Sequence, residues 1–209
     1  MIVFAHRGIG FGKEENSLEA VRAAVRRKFS VEIDLRMKRG GIILSHDYPE
    51  EIISSLEFNK LLIIIKENPD LLFALHLKED SEAFFKKISK AVNGIKNLFL
   101  FVTDFPQRNF IMKMFNILGS EQLALYVTSK VLDRDLINRT EYFWLDESKS
   151  GIYKEIHFFG NFKKKIIYCS PELFLNAKKS GFLERNKFLK ESSQGIFGIC
   201  TDFCSDYTT

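Results

Sequence analysis

Three short clusters of reactive side chains stand in the first fifty residues: His6-Arg7-Gly8, Glu32-Ile33-Asp34 and His46-Asp47. Each lies on or directly after an apolar run that reads as a strand, where a charge is costly unless it meets a partner or a metal. Side chains alternate faces along a strand, so Glu32 and Asp34 project together while Val31, Ile33 and Leu35 project the other way. By the same spacing His76 and Lys78 share one face of a later apolar run, with Leu75 and Leu77 opposite. Two carboxylates on one face repel unless a cation separates them, and their hard oxygens suit Mg²⁺ or Ca²⁺. The alternative is a carboxylate pair neutralised by Arg7 and Lys78 without an ion. His6 and His46 suit a general acid and a general base, because imidazole titrates near working pH. Arg7 can hold a phosphate through two parallel hydrogen bonds. The chemistry in view is proton transfer at a phosphodiester, with or without a divalent cation.

The remaining polar features have plainer readings. Asn16-Ser17-Leu18-Glu19 reads as a variant capping box with Asn16 at the N-cap, which leaves Glu15 to turn toward the site. Asp146-Glu147 follows a strand and either lines the same mouth or, the commoner case, is surface acid, and His157 beside Phe158 and Phe159 reads as structural. Asp47 supports His46.

The elements that must position these groups follow a βα rhythm. Strands are predicted at Ile2–Ala5, Val31–Leu35, Leu72–Leu77, Leu98–Val102, Leu123–Val127, Tyr142–Leu145, Ile166–Cys169 and Ile196–Cys200. Helices are predicted at Ser17–Arg27, Leu56–Glu67, Ser81–Val92 and Gln107–Leu118, and a hairpin turns at Arg39-Gly40-Gly41 to join Arg36–Lys38 to Ile42–Ser45. Eight strands in this rhythm form a parallel sheet that can close, so the fold class is α/β, a (β/α)8 barrel. Such barrels usually need about 250 residues, and 209 make this one compact, with short or missing helices late in the chain. No linker or repeat divides it, which makes residues 1–209 one domain.

Composition narrows the function classes. The chain is 45% hydrophobic and 28% charged, and its 21 Phe against one Trp imply an aromatic-rich core. A net charge of +4 suits an anionic small molecule but is too weak for a nucleic-acid partner. The runs Lys38-Arg39 and Lys163-Lys164-Lys165 read as solvated turns. No apolar stretch of about 20 residues is present, so membrane insertion is not expected. Met1–Ala5 runs straight into His6, so a cleaved leader is not expected, and Cys169, Cys200 and Cys204 are few and odd in number; a cytoplasmic location is the expectation.

These residues resemble the glycerophosphodiester phosphodiesterases, whose barrel is shared with enzymes like the phosphatidylinositol-specific phospholipases C. His6-Arg7-Gly8, Glu14-Glu15-Asn16-Ser17, Glu32-Ile33-Asp34, His46-Asp47, His76-Leu77-Lys78 and Gly198-Ile199-Cys200-Thr201-Asp202 stand where that family has its motifs. The resemblance implies metal-dependent hydrolysis of a small phosphodiester in lipid metabolism, with Glu32, Asp34 and His76 on the cation, Arg7 and Lys78 on the phosphate, and His6 and His46 sharing the proton transfers. The implied cofactor is a divalent cation, Mg²⁺ ahead of Ca²⁺ or Mn²⁺. Three positions depart from the pattern. Glu14 replaces a proline, His76 replaces a third metal carboxylate, and Tyr168-Cys169-Ser170-Pro171 replaces a Trp-Thr-x-Asn strand whose Trp shapes the substrate pocket. Trp144, one strand earlier, is not an obvious substitute. An imidazole ligand moves preference from Ca²⁺ toward Mg²⁺, Mn²⁺ or another transition metal, or, protonated, pairs with Glu32 or Asp34 in an ion-free site. The alternatives are a catalytically inactive barrel that binds a phosphate-bearing ligand, and a lyase-type phosphodiesterase that gives a cyclic phosphate.

Overall fold

Period-two alternation divides the apolar residues into two cores. The computed structural model describes residues 1–10, 14–48, 56–103, 108–119, 122–127, 134–146, 156–170, 173 and 195–207. Gln107, Glu147, Pro171 and Phe182, and the side chain of His157, lie outside the described residues. Among the described residues the strands are β1 (Ile2–Ala5), β2 (Ser30–Lys38), β3 (Gly41–Leu44), β4 (Phe73–Leu77), β5 (Leu98–Phe101), β6 (Ala124–Val127), β7 (Tyr142–Asp146), β8 (Lys165–Cys169) and β9 (Gly198–Thr201). They run in the order β5-β4-β2-β1-β9-β8-β7-β6, with β3 attached to β2. A parallel bridge between Leu100 and Leu123 joins the two ends of that order and closes an eight-stranded (β/α)8 barrel. Helices α1 (Leu18–Arg26), α2 (Leu56–Glu67), α3 (Glu82–Val92), α4 (Arg108–Leu118), α5 (Arg134–Arg139) and α6 (Ile156–Gly160) fall between strands. Of the described helices, the last two, α5 and α6, are short.

The outward faces of the strands, with Val31, Ile33, Leu35, Leu75, Leu77 and Phe143, pack against buried helix residues such as Val21, Leu61, Phe85 and Phe159. The inward faces form a second core of Phe4, Phe99, Phe101, Tyr142, Trp144, Ile167, Cys169 and Cys200. Rings fill the barrel axis: Phe99 stacks on Tyr142 at 4.6 Å, and Phe4 meets Phe99 edge-on at 5.9 Å. Each fully buried Phe contributes roughly 1.5–3 kcal/mol of transfer free energy, so the barrel is a packed core below the mouth.

Two local features set the mouth. The β2–β3 hairpin pairs Lys38 with Gly41, and both turn residues are left-handed, Arg39 at φ 49° and Gly40 at φ 75°. That is the two-residue turn whose twist matches the strands. The hairpin folds the chain back from the end of β2 to its middle, where the Ser45 N–H donates to the Asp34 carbonyl at 3.1 Å, and so delivers His46 to the mouth. The predicted strand 196–200 begins two residues later and takes in Thr201, because its ladder with β1 runs from Ile2–Gly198 to Ala5–Thr201. No helix among the described residues is long and apolar enough to cross a membrane.

Candidate active site

The C-terminal ends of the strands open into a cavity of about 440 Å³. It is lined by His6 and Arg7 after β1, Glu32 and Asp34 on β2, His46 after β3, and His76 and Lys78 from β4. Seven of the residues singled out from sequence thus face one space. Glu15 and Asp47 stand behind it, on Arg7 and His46.

The Arg7-Gly8 bend is a left-handed turn, with φ 54° at Arg7 and 81° at Gly8. It aims the Arg7 N–H at Glu32 Oε2, 3.0 Å away, and turns the guanidinium toward Asp34, whose Oδ2 lies 3.2 Å from Nε. That approach is off the N–H axis, and Nε makes no hydrogen bond among the described residues. Arg7 Nη1 donates to Glu15 at 3.0 Å. A Cβ at Gly8 would stand 2.6 Å from the carbonyl carbon of Ala20, on top of the left-handed φ. Gly8→Ala should therefore cost at least about 2 kcal/mol in thermal or urea unfolding.

Asn16 is not the helix cap. Ser17 is, with Oγ accepting from the Ala20 N–H at 3.1 Å. Asn16 is buried instead, and it brackets Asp34: its Nδ2 donates to Oδ2 and its Oδ1 accepts from the Asp34 N–H, both at 2.9 Å. The cap moves by one residue because the amide has stronger partners inside than a helix N–H can offer.

Glu32, Asp34 and His76 offer one ligand atom each, all within 4.8 Å of one another. His76 Nδ1 donates to Asp34 Oδ1 at 2.8 Å and lies 3.9 Å from Glu32 Oε1, while Nε2 bonds Thr103 Oγ1 at 2.8 Å. The ring is stacked on Phe101 at 4.5 Å. Burial alone would raise Asp34, but the His76 hydrogen bond and charge, with Arg7 and Asn16, hold it well below the usual carboxylate range. Glu32 has less help. Burial and the neighbouring Asp34 charge push it up to about 7, against the pull of His6 and Arg7. Two carboxylate oxygens and an imidazole nitrogen, buried and converging, could hold a divalent cation once Nδ1 has released its proton.

His6 Nδ1 donates to Asp202 Oδ1 at 2.9 Å, and its Nε2 lies 4.0 Å from Glu32 Oε2. Burial would lower this imidazole, but the Asp202 hydrogen bond and the charges of Glu32 and Asp202 raise it above its ordinary value. His46, 38% exposed, bonds Asp47 Oδ1 through Nδ1 at 2.8 Å. Arg36 ties the two strand ends together: Nε donates to the His46 carbonyl at 2.8 Å and Nη1 to the Lys78 carbonyl at 3.1 Å.

Two expectations from sequence are corrected here. Asp146 is not a surface acid: it is 3% exposed and lines the cavity, because it ends β7 on the inward face. Trp144, two residues earlier on the same face, also lines the cavity, whereas Tyr168 faces the helices and is fully buried among them. Trp144 is therefore the tryptophan of the pocket. Asn16, Arg36, Thr103 and Asp202 were not singled out as functional; Asn16 and Asp202 each stand in a motif that carries the resemblance, and Arg36 and Thr103 carried no sequence signal.

No family model matches the sequence, and no curated protein matches it. Solved structures match the fold throughout. A glycerophosphodiester phosphodiesterase from Agrobacterium tumefaciens str. C58 superposes with a TM-score of 0.65 at 12% identity, covering 96% of this chain and 94% of that one. A glycerophosphoryl diester phosphodiesterase from Parabacteroides distasonis gives 0.67 at 14%, covering 96% and 82%. A 7,8-dihydropteroate synthase from Vibrio fischeri ES114 gives 0.54 at 10%, covering 98% and 88%. The fold is a (β/α)8 barrel of the kind found in glycerophosphodiester phosphodiesterases.

Proposed function

We propose that residues 1–209 act as a single cytoplasmic domain, a metal-dependent phosphodiesterase for glycerophosphodiesters or a similar small phosphodiester. The observation that carries this is the convergence of Glu32, Asp34 and His76 within 4.8 Å in a cavity also lined by His6, His46, Arg7 and Lys78. The phosphodiesterase neighbours in fold support it.

In this reading Glu32, Asp34 and His76 hold the cation, which supplies Lewis-acid stabilisation of charge on the phosphate oxygens. Arg7 and Lys78 bind the phosphate, and Glu15 holds the Arg7 guanidinium in place. His6, kept protonated by Asp202, gives its proton to the leaving oxygen. His46, with Nδ1–H on Asp47, presents Nε2 as the base that takes a proton from the attacking water. Arg36 fixes the carbonyls that flank this pair.

The test is release of alcohol from a panel of glycerophosphodiesters with and without Mg²⁺, Mn²⁺ or Ca²⁺, beside His46→Ala. Metal-dependent product absent from the variant supports the reading, and no product with any metal overturns it. Phosphorus NMR of the product separates open from cyclic phosphate and so decides between hydrolase and lyase.

A second reading, a phosphate-binding barrel without turnover, is favoured by the His76–Asp34 contact, which compensates one carboxylate without an ion. Metal titration separates the two. In the enzymatic reading the ion competes with protons at Glu32 and at His76 Nδ1, so acid must weaken binding. With Glu32 titrating at about 7, affinity should fall about tenfold between pH 8 and pH 6. Calorimetry in buffers of different ionisation enthalpy should show proton release on binding. Affinity independent of pH would place the ion elsewhere.

A further inference from the structure

We propose that Thr103 is a positioning residue that commits His76 to act as a nitrogen donor, so that the Glu32–Asp34–His76 cluster selects a borderline transition ion of the Co²⁺ or Zn²⁺ kind over Mg²⁺ and Ca²⁺. The assignment rests on the reading of this cluster as the cation site of a phosphodiesterase and names the class of ion within it.

Asp34, His76 and Phe101 stand side by side in one row across β2, β4 and β5. The imidazole in the middle is held on three sides. Its face is stacked on Phe101 at 4.5 Å and 11°, and Phe101 stacks in turn on Trp144 at 4.1 Å. Its Nδ1 lies 2.8 Å from Asp34 Oδ1 and 3.9 Å from Glu32 Oε1. Its Nε2 meets the Thr103 hydroxyl, just past the end of β5, at 2.8 Å. A ring so held has little freedom to withdraw Nδ1 from the two carboxylates.

The carboxylates are oriented by their own partners. Asp34 Oδ2 accepts from Asn16 Nδ2 at 2.9 Å, and Glu32 Oε2 accepts from the Arg7 N–H at 3.0 Å. The oxygens nearest His76 are the other two, Oδ1 and Oε1. The cluster therefore offers single oxygens and one nitrogen. Ca²⁺ takes about six to eight oxygens, often both of one carboxylate, and Mg²⁺ is likewise an ion of oxygen ligands. Imidazole suits ions later in the first transition row, whose affinity for such a site rises from Mn²⁺ to Co²⁺. A histidine on a metal also donates its second ring N–H to an outer acceptor, which orients the ring and strengthens it as a ligand. The Thr103 hydroxyl can accept as well as donate, and it already stands at Nε2.

The test is calorimetric titration of the metal-free chain with Mg²⁺, Ca²⁺ and Co²⁺, each alone and at one pH. Co²⁺ should bind at least about a hundredfold more tightly than either of the others. In His76→Glu, which offers oxygen in place of nitrogen, that ratio should fall at least about tenfold. Thr103→Val should weaken Co²⁺ by about ten- to a hundredfold and Mg²⁺ by less, and Thr103→Ser should restore the parent value. Pulsed EPR of bound Mn²⁺ should show a directly coupled imidazole nitrogen in the parent and none in His76→Glu. Mg²⁺ or Ca²⁺ bound as tightly as Co²⁺, or a Thr103→Val protein with the parent's Co²⁺ affinity, overturns the inference; metal-dependent hydrolysis of a glycerophosphodiester then leaves the phosphodiesterase reading standing. Selective, nitrogen-ligated binding without hydrolysis under any ion keeps the inference and overturns the enzymatic reading. Binding of none of the ions overturns both.

Discussion

Alanine at His6 should lower kcat by about two to four orders of magnitude, with the melting temperature moved by only a few degrees. His6 ends the buried run Val3–Ala5 but is itself partly exposed, so its removal opens no large cavity in the packed barrel. Its backbone N–H is held by the Thr201 carbonyl at 3.2 Å, independently of the side chain. What the substitution removes is an imidazole whose two nitrogens have different tasks. Nδ1 is committed to Asp202 at 2.9 Å, which leaves Nε2 as the atom that exchanges a proton in the cavity. The charges of Asp202 and Glu32 outweigh burial and raise this imidazole above its ordinary value, which suits an acid that must be protonated before the reaction begins. The kcat profile in excess Mg²⁺ should therefore have an alkaline limb belonging to His6. Asp202→Asn should shift that limb to lower pH, while His46→Ala removes the base rather than moving the limb. A His6→Ala protein that keeps more than a tenth of the parent kcat would sink the assignment.

The residues that line the cavity were legible because each is a costly residue in or beside an apolar strand, and cost is visible along the chain. Glu32, Asp34, His76 and Lys78 could be placed on inward faces by alternation alone, and β2 and β4 pair in register with Asp34 opposite His76. The barrel was legible for the same reason, as a rhythm of short apolar runs. What sequence reading missed is what closure brings together. Asp202 meets His6 because β9 lies beside β1, a juxtaposition of opposite ends of the chain that no local spacing reveals. Trp144 enters the pocket because β7 stands across the ring from β2. Asn16 was misread for a local reason: next to a serine, either residue can cap a helix, and only the position of Asp34 decides which of them turns inward.

Glu32 and Asp34 should respond to substitution with opposite signs in metal-free protein, although both are buried carboxylates on one strand. Glu32 is raised to about 7 from an ordinary 4.5. An acid whose folded value is raised holds its proton more tightly when folded, so the stability it confers is present below about pH 4.5 and is lost as pH rises toward 7. Glu32→Gln removes that liability. At pH 8 in chelator the variant should be more stable than the parent by on the order of 2 kcal/mol, which is roughly 4–8 °C for a chain of this size. The advantage should shrink at pH 5, where the parent's Glu32 is itself protonated. Asp34 is held below its ordinary value, so its contribution is present above the unfolded value near 3.8 and is lost only as pH falls through the folded one. Asp34→Ala leaves the Asn16 amide and the His76 Nδ1–H buried without their acceptor and the Arg7 guanidinium without its neighbouring charge. That should cost about 3–5 kcal/mol at pH 8. Millimolar Mg²⁺ should raise the melting temperature of the parent and of neither variant, since binding to the folded state alone is what stabilises it. Thermal unfolding of the three proteins at pH 5 and pH 8, with chelator and with Mg²⁺, decides the matter. A Glu32→Gln protein no more stable than the parent at pH 8, or equally favoured at both pH values, would mean that Glu32 is already compensated and that this cluster has no vacancy for a cation to fill.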